Sequence, residues 1–315
     1  MSQTAAYPDD PRIHVDADHL LRLGPKSRAI SLLPRQPARS ILNGRHASRL
    51  RGRGLNFEEL RNYLPGDDIR TIDWKVTART GKPHVRVYTE ERDRPAFLLV
   101  DQRVSMFFGT QVYMKSVIAA EAAAISAHRV LGQGDRVGGL VFGDTDLAEH
   151  RPQRRPAALT RFLASVGALN CSLRASQRSE ATVTLNAVLK QAARVAHTNT
   201  LICIFSDFDG LDESSEVLIR ELAASNDLIL FNISDPSSRE LVPNLRLTVS
   251  DGDNQIELDS ADTGLSDRIR QAMEDRLAQL QTWSRRYGFP IVPLTTAEPT
   301  LDQLLRLFGH TGGCR

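Results

Sequence analysis

Two short runs, AFLLV at 96–100 and TLICIF at 200–205, each stop at an acidic turn: Asp101 in the first case, Ser206-Asp207 in the second. Apolar runs of this length, bounded by turn residues, fit strands buried on both faces, as in a parallel sheet covered by helices. Helical stretches at 111–131, 156–166 and 184–196 lie between them, the first rich in alanine and suited to close packing on a sheet. Such α/β sheets hold ligands beyond the carboxyl ends of the strands, where the winding direction reverses. Asp101 and Asp207 are therefore expected to meet in one crevice.

The rest of the chain supports the same α/β reading. RVGGLVFG at 136–143 and residues 147–152 form a hairpin across Gly143-Asp144-Thr145-Asp146, which adds one antiparallel edge strand. Helices are expected at 214–225, 262–287 and 299–308, strands at 227–233 and 290–294, and a small hairpin at 245–249 with 255–258. Upstream, residues 1–18 read as a loose polar tail. Short helices broken at Gly24-Pro25 follow. FEELRNYL at 57–64 reads as a short helix, and Pro65-Gly66 as a turn. Asp67 or Asp68 is positioned to cap the following segment, IRTIDWKVTAR. HVRVYTEE alternates as a half-buried strand does. The domain boundaries implied are a tail with short helices over 1–42, a small cap subdomain over 43–94 and the α/β domain over 95–315.

Composition narrows the function classes. A 315-residue chain with 41% hydrophobic and 25% charged residues is ordinary for a globular protein, and a net charge of +2 does not by itself point to nucleic acid or membrane. Cys171, Cys203 and Cys314 form no C-x-x-C pair, which implies a reducing compartment without a disulfide framework. The first twenty residues are unlike a signal peptide, and no apolar run approaches the ~18–20 residues of a membrane span, so a cytoplasmic location is expected. Neither a phosphate-binding G-x-x-x-x-G-K-[ST], nor a G-x-S-x-G elbow, nor an H-E-x-x-H occurs. His128 and His197 are expected at the surface, near helix ends.

The crevice itself has two chemical readings. A hard divalent cation takes oxygen ligands, and Asp101, Ser105, Asp207 and a threonine (Thr184, or Thr182) are candidates. Arg103, between Asp101 and Ser105, opposes that. At about 4 Å and an effective dielectric near 20, each pair of unit charges is worth ~4 kcal/mol, so a guanidinium aimed inward would repel a divalent ion by up to about twice that. It could instead bridge Asp101 and Asp207. It could also point to solvent and leave a weak Mg²⁺ site.

Two stretches carry a family resemblance: GRGLNFEELRNYLPGDDIRTIDWKVTARTGKPHVRVYTEERD at 52–93, and AFLLVDQRVSMFFG followed by MKSVIAAEAAAISAHRVLGQGDRVGGLVFGD. Together they resemble the bacterial family known as domain of unknown function 58, a von Willebrand factor A-like group. The resemblance covers about residues 43–310 and implies a doubly wound, mostly parallel sheet. The motif positions are Gly54, Phe57, Arg61, Tyr63, Gly66, Asp67, Asp68, Arg70, Asp73, Trp74, Lys75, Ala78 and Arg79. The family's metal turn is Asp-x-Ser-x-Ser, and Arg103 stands here in place of its middle serine. The resemblance further implies partnership with MoxR-type AAA+ ATPases in complex assembly or maturation, acting on a client protein. Trp74 is expected to be a packing anchor, and the mixed charges around it either a structural network or a docking surface.

The leading expectation is a non-enzymatic interaction module with a degenerate metal-ion-dependent adhesion site. Its partner contacts would come from Arg103, Arg61, Asp67, Asp68, Arg70, Asp73, Trp74 and Lys75. The first alternative is a functional Mg²⁺-dependent ligand-binding domain. The second is nucleic-acid contact through the basic segment Arg35–Arg53, which carries six arginines and no acidic residue.

Overall fold

A computed structural model describes residues 10–30, 55–64, 67, 69–90, 95–174, 183–238, 246–250, 255–259 and 263–309. The chain divides into two units, one made of 1–32 with 94–315 and the other of 33–93.

The larger unit is built on six strands: β3 (Ala96–Asp101), β4 (Val137–Phe142), β5 (Leu147–Gln153), β6 (Leu201–Ser206), β7 (Asp227–Ser234) and β10 (Ile291–Thr295). Their order across the sheet is β10-β7-β6-β3-β4-β5. Every neighbouring pair is parallel except β4 with β5, the antiparallel edge. The sheet is thus doubly wound, von Willebrand factor A-like, as expected. Its direction of winding reverses at β3 and β6, the two strands that end at Asp101 and Ser206-Asp207. A separate small hairpin pairs β8 (Arg246–Ser250) with β9 (Gln255–Asp259).

Both faces of the sheet are covered, which explains why the central strands are apolar throughout. One face packs on α3 (Lys115–Gly132), α4 (Pro156–Ser172) and α8 (Thr300–Phe308), with α1 (Ala17–Arg22) lying against α3 and α4. The other packs on α5 (Leu185–Val195), α6 (Glu213–Ser225) and α7 (Thr263–Tyr287). α3 is the innermost helix. Ala119, Ala120, Ala122, Ala123, Ala124 and Ala127 are all fully buried in it, so methyl-sized side chains set a close approach to its neighbours. α6 begins with a capping box in which Asp212 and Ser215 each satisfy the other's backbone N–H.

Residues 10–18 are not a loose tail. Val15 is 1% exposed and donates its N–H to buried Asn170 Oδ1 at 2.7 Å, and Asp16 caps α1 by accepting from the N–H of His19. Leu20, Leu23 and Ile30 join the same core, which draws this segment into the larger unit. His128 also departs from expectation. It lies near the C-terminal end of α3, but it is half-buried, with Nε2 hydrogen-bonded to Leu20 O at 3.2 Å, and burial pushes its pKa down.

In the smaller unit, β1 (Leu55–Asn62) pairs antiparallel with β2 (His84–Glu90), with a bulge between Phe57 and Glu59. The helix expected over 57–64 is therefore a strand; cross-strand pairing outweighs the helix preference of its Glu and Leu residues. α2 (Trp74–Thr80) starts at Asp73, not at Asp67 or Asp68. The Asp73 carboxylate accepts from the N–H groups of Lys75 and Val76 at 3.0 and 3.2 Å. α2 ends at Gly81, whose left-handed φ of 70° suits glycine.

Ala123→Leu forces extra methylenes into the contact beneath α3 and is expected to destabilise the protein by about 2 kcal/mol. Urea unfolding checks this through a lower midpoint at constant slope. An unchanged midpoint would show that the alanine surface is not tightly packed.

Candidate functional site

Asp101 is the last residue of β3 and fully buried. Its two oxygens receive a two-pronged grip from Arg103: Nε donates to Oδ1 at 3.0 Å and Nη2 to Oδ2 at 2.7 Å. The backbone N–H of Arg103 donates to the same Oδ1 at 3.1 Å, and the Ser206 hydroxyl donates to Oδ2 at 2.6 Å. Arg103 is itself only 7% exposed, so the guanidinium does not point into solvent. Nη2 also donates to Asp209 O at 3.1 Å, and the ring of Phe142 lies 5.7 Å from the guanidinium carbon. Burial works to lower the Arg103 pKa. The charge and hydrogen bonds of Asp101, with the charges of Asp207 and Asp209, outweigh it and hold the pKa above its ordinary value. Arg103 is thus a permanent cation.

Asp207 has a different partner. Lys115 Nζ donates to its Oδ2 at 2.5 Å, and Asp209 N–H donates to Oδ1 at 3.0 Å. Arg103 therefore links Asp101 to the Asp209 carbonyl and not to the Asp207 carboxylate. Burial pushes the Asp207 carboxyl up. The Lys115 charge and hydrogen bond, the Arg103 charge and the Asp209 N–H overcome this and bring it below the ordinary range. Lys115 opens α3, where the helix dipole disfavours a cation, so Asp207 has to offset that placement.

The loop after β6 is folded tightly to reach this geometry. Phe208 is fully buried at a positive φ of 57°, and its N–H donates to Ser206 Oγ at 2.9 Å. A non-glycine residue held there costs on the order of 1 kcal/mol or more. From α7, Arg276 binds Asp209 Oδ1 at 2.5 Å and the Asp207 carbonyl at 3.4 Å.

Thr184 does not reach the carboxylates. It is exposed and caps α5, its hydroxyl accepting from Ala187 N–H at 3.2 Å. Thr182 lies outside the described residues. Ser105 Oγ is buried with no hydrogen-bond partner. A divalent cation among Asp101, Ser105 and Asp207 would meet both Arg103 and Lys115 and find the carboxylate oxygens already engaged. As arranged, the side chains do not fit it. Among the described residues no cluster of three or more His, Cys, Asp or Glu could hold a metal.

In the smaller unit, Arg61 grips Asp67 with two bonds of 2.7 Å, and Asp67 also accepts from Leu64 N–H at 2.8 Å. The Arg61 hydrogen bonds are the main reason that the Asp67 carboxyl lies below its usual range. Asp73 is committed to capping α2. Arg70 and Lys75 are exposed, and Trp74, at 69% exposure, is not buried as an anchor would be. Asp68 and the Arg35–Arg53 segment lie outside the described residues.

Sequence reasoning missed Lys115, Ser206, Asp144, Asp209 and Asp235. Asp144 Oδ2 accepts from Val104 N–H at 2.7 Å and so fixes the turn after β3. Asp235 had a readable signal, since it follows the apolar run DLILFNIS just as Asp101 and Asp207 follow theirs. It accepts from Thr110 N–H at 2.9 Å, Ser237 N–H at 2.9 Å and the Thr296 hydroxyl at 2.5 Å. These bonds outweigh burial and lower its pKa.

Lys115→Met leaves Asp207 buried without its counter-charge and is expected to cost about 3–5 kcal/mol, much of it recovered in Lys115→Met/Asp207→Leu. Because the folded pKa of Asp207 is depressed, its stabilising contribution is complete above the unfolded carboxylate value near ~3.9 and is lost as pH falls through the lower folded value. In Lys115→Met that loss moves to higher pH. Urea midpoints measured across acidic pH test both points. A double variant no more stable than the single one would contradict the pairing.

The chain is 28% identical over 90% of its length to the uncharacterized protein Rv1480 of Mycobacterium tuberculosis strain H37Rv, covering 88% of that protein. The uncharacterized protein Mb1516 of Mycobacterium bovis matches to the same extent. Among solved structures, the conserved hypothetical protein BatB from Bacteroides thetaiotaomicron superposes with a TM-score of 0.40 at 13% identity, over 67% of this chain and 93% of that one. The SpRpn10 VWA domain gives 0.37 at 10% identity, over 68% and 94%. A family model described as protein of unknown function DUF58 matches residues 59–282. The chain belongs to that family.

Proposed function

We propose that this protein is a non-enzymatic protein-interaction module in which Arg103 serves as a fixed cation where a metal-dependent relative would place its ion. The observation that carries this reading is the two-pronged Arg103–Asp101 pair buried at the strand tips. Arg103 Nη1 makes no hydrogen bond among the described residues and faces Gly210, 3.9 Å from where a Cβ would stand there. Nη1 is, on this reading, the group that would meet a partner's carboxylate. On this reading the partners are a MoxR-type AAA+ ATPase and a client protein in complex assembly or maturation. The exposed Arg70, Trp74 and Lys75 of the smaller unit would add contacts.

The Mg²⁺-dependent reading has one supporting observation, the buried unpartnered hydroxyl of Ser105. Thermal unfolding with and without Mg²⁺ separates the two. The wild-type protein is expected to show no shift, and Arg103→Ser to gain stability, by about 2.7 kcal/mol when Mg²⁺ is a hundredfold above its dissociation constant. A shift in the wild type with none in the variant would overturn the fixed-cation reading.

Arg103→Ala is expected to cost roughly 3 kcal/mol by leaving Asp101 uncompensated. Kept folded at low temperature, it should bind the purified ATPase at least tenfold more weakly. Wild-type affinity in that titration would remove Arg103 from the docking surface.

A further inference from the structure

Beside the strand-tip site, α7 and the sheet enclose a cavity of about 510 Å³ lined on one wall by β7 and the edge strand β10. That volume falls in the range of small-molecule sites. Its wall breaks the pattern of the sheet. On β7, Leu228 and Leu230 face the core beneath α6 and α7, and the same face continues as Asn232 and Ser234, both on the cavity. The Asn232 amide makes no hydrogen bond among the described residues, and Ser234 Oγ makes only a long one, 3.5 Å, to Leu294 O. Asn232 is half-buried, so its amide is open to whatever fills the cavity.

The lining includes apolar side chains from both walls, Met273 and Leu277 of α7 and Ile291 of β10. The charges are distributed unevenly. Lys115 and Arg276 are held by Asp207 and Asp209, and Asp235 is satisfied by hydroxyl and amide donors. Arg285 is exposed on the lining and has no ion pair among the described residues, whereas the exposed Glu274 is paired with Arg270 at 3.9 Å. Apolar side chains from two walls, an amide without a protein partner and an exposed guanidinium without an ion pair match one ligand chemistry.

We infer that this cavity binds a carboxylate attached to an apolar body, the carboxylate meeting Arg285 and the body lying between Leu277 and Ile291. The free carboxylate could belong to a small organic acid or to the apolar C-terminal residue of a polypeptide. This site does not rest on the docking role of Arg103.

Calorimetric titration of the full chain tests it with four probes: octanoate, octanol, a pentapeptide ending in leucine with a free carboxylate, and the same peptide amidated. Octanoate should bind, and Arg285→Glu should weaken it at least tenfold while leaving octanol unchanged. Asn232→Leu supplies a second variant that keeps the fold and removes the amide. Tighter binding of the free-carboxylate peptide, lost on amidation, assigns the site to a chain terminus. Preference for octanoate over the peptide assigns it to a small acid. If neither carboxylate binds at millimolar concentration, or if both variants bind octanoate as the wild type does, the inference is overturned.

Discussion

Burying Asp101 is the constraint around which this end of the molecule is arranged. A carboxylate at zero exposure is tolerable only with its charge offset and its lone pairs filled. Arg103 does most of both, with its own backbone N–H and the Ser206 hydroxyl completing the set. Because the cation is two residues away on the same chain, the turn after β3 carries its own neutralisation and requires no ion from solution.

The second carboxylate follows the same logic with different parts. Asp207 makes no hydrogen bond to Arg103, whose Nη2 donates to the Asp209 carbonyl. It takes Lys115 from the first residue of α3 instead. Two adjacent strand tips, one helix start and Arg276 from α7 thus form an alternating set of charges at the point where the sheet's winding reverses. The strained Phe208 and the left-handed Gly210 let the loop after β6 turn back sharply enough to put Asp209 within reach of both arginines.

The sheet strands and most helices of the larger unit were legible in the sequence to within a few residues, because its central strands are apolar on both faces; α4 runs on to Ser172, past the expected 166, and the packing of residues 10–18 was not foreseen. The smaller unit was harder. FEELRN has helix-forming residues and becomes a strand only through pairing with residues some twenty-five positions away, which no local pattern announces. At the site, Asp101, Arg103, Ser105 and Asp207 could be named because strand ends are marked by composition. Lys115 could not, since its role depends on where a helix start falls in space. A threonine before a helix reads equally as ligand or as cap, and Thr184 caps α5. Asp235 shows that the strand-then-aspartate signal was present a third time and had been applied only twice.

The most direct test of the account observes the Arg103 side chain itself. In nitrogen-15 NMR, the Arg103 Nε–H locked onto Asp101 should give a sharp resonance, exchange slowly with solvent and stay unchanged as Mg²⁺ is added. A rapidly exchanging Nε–H, or one whose resonance moves as Mg²⁺ enters the crevice, would contradict the claim that the arginine occupies the ion's place.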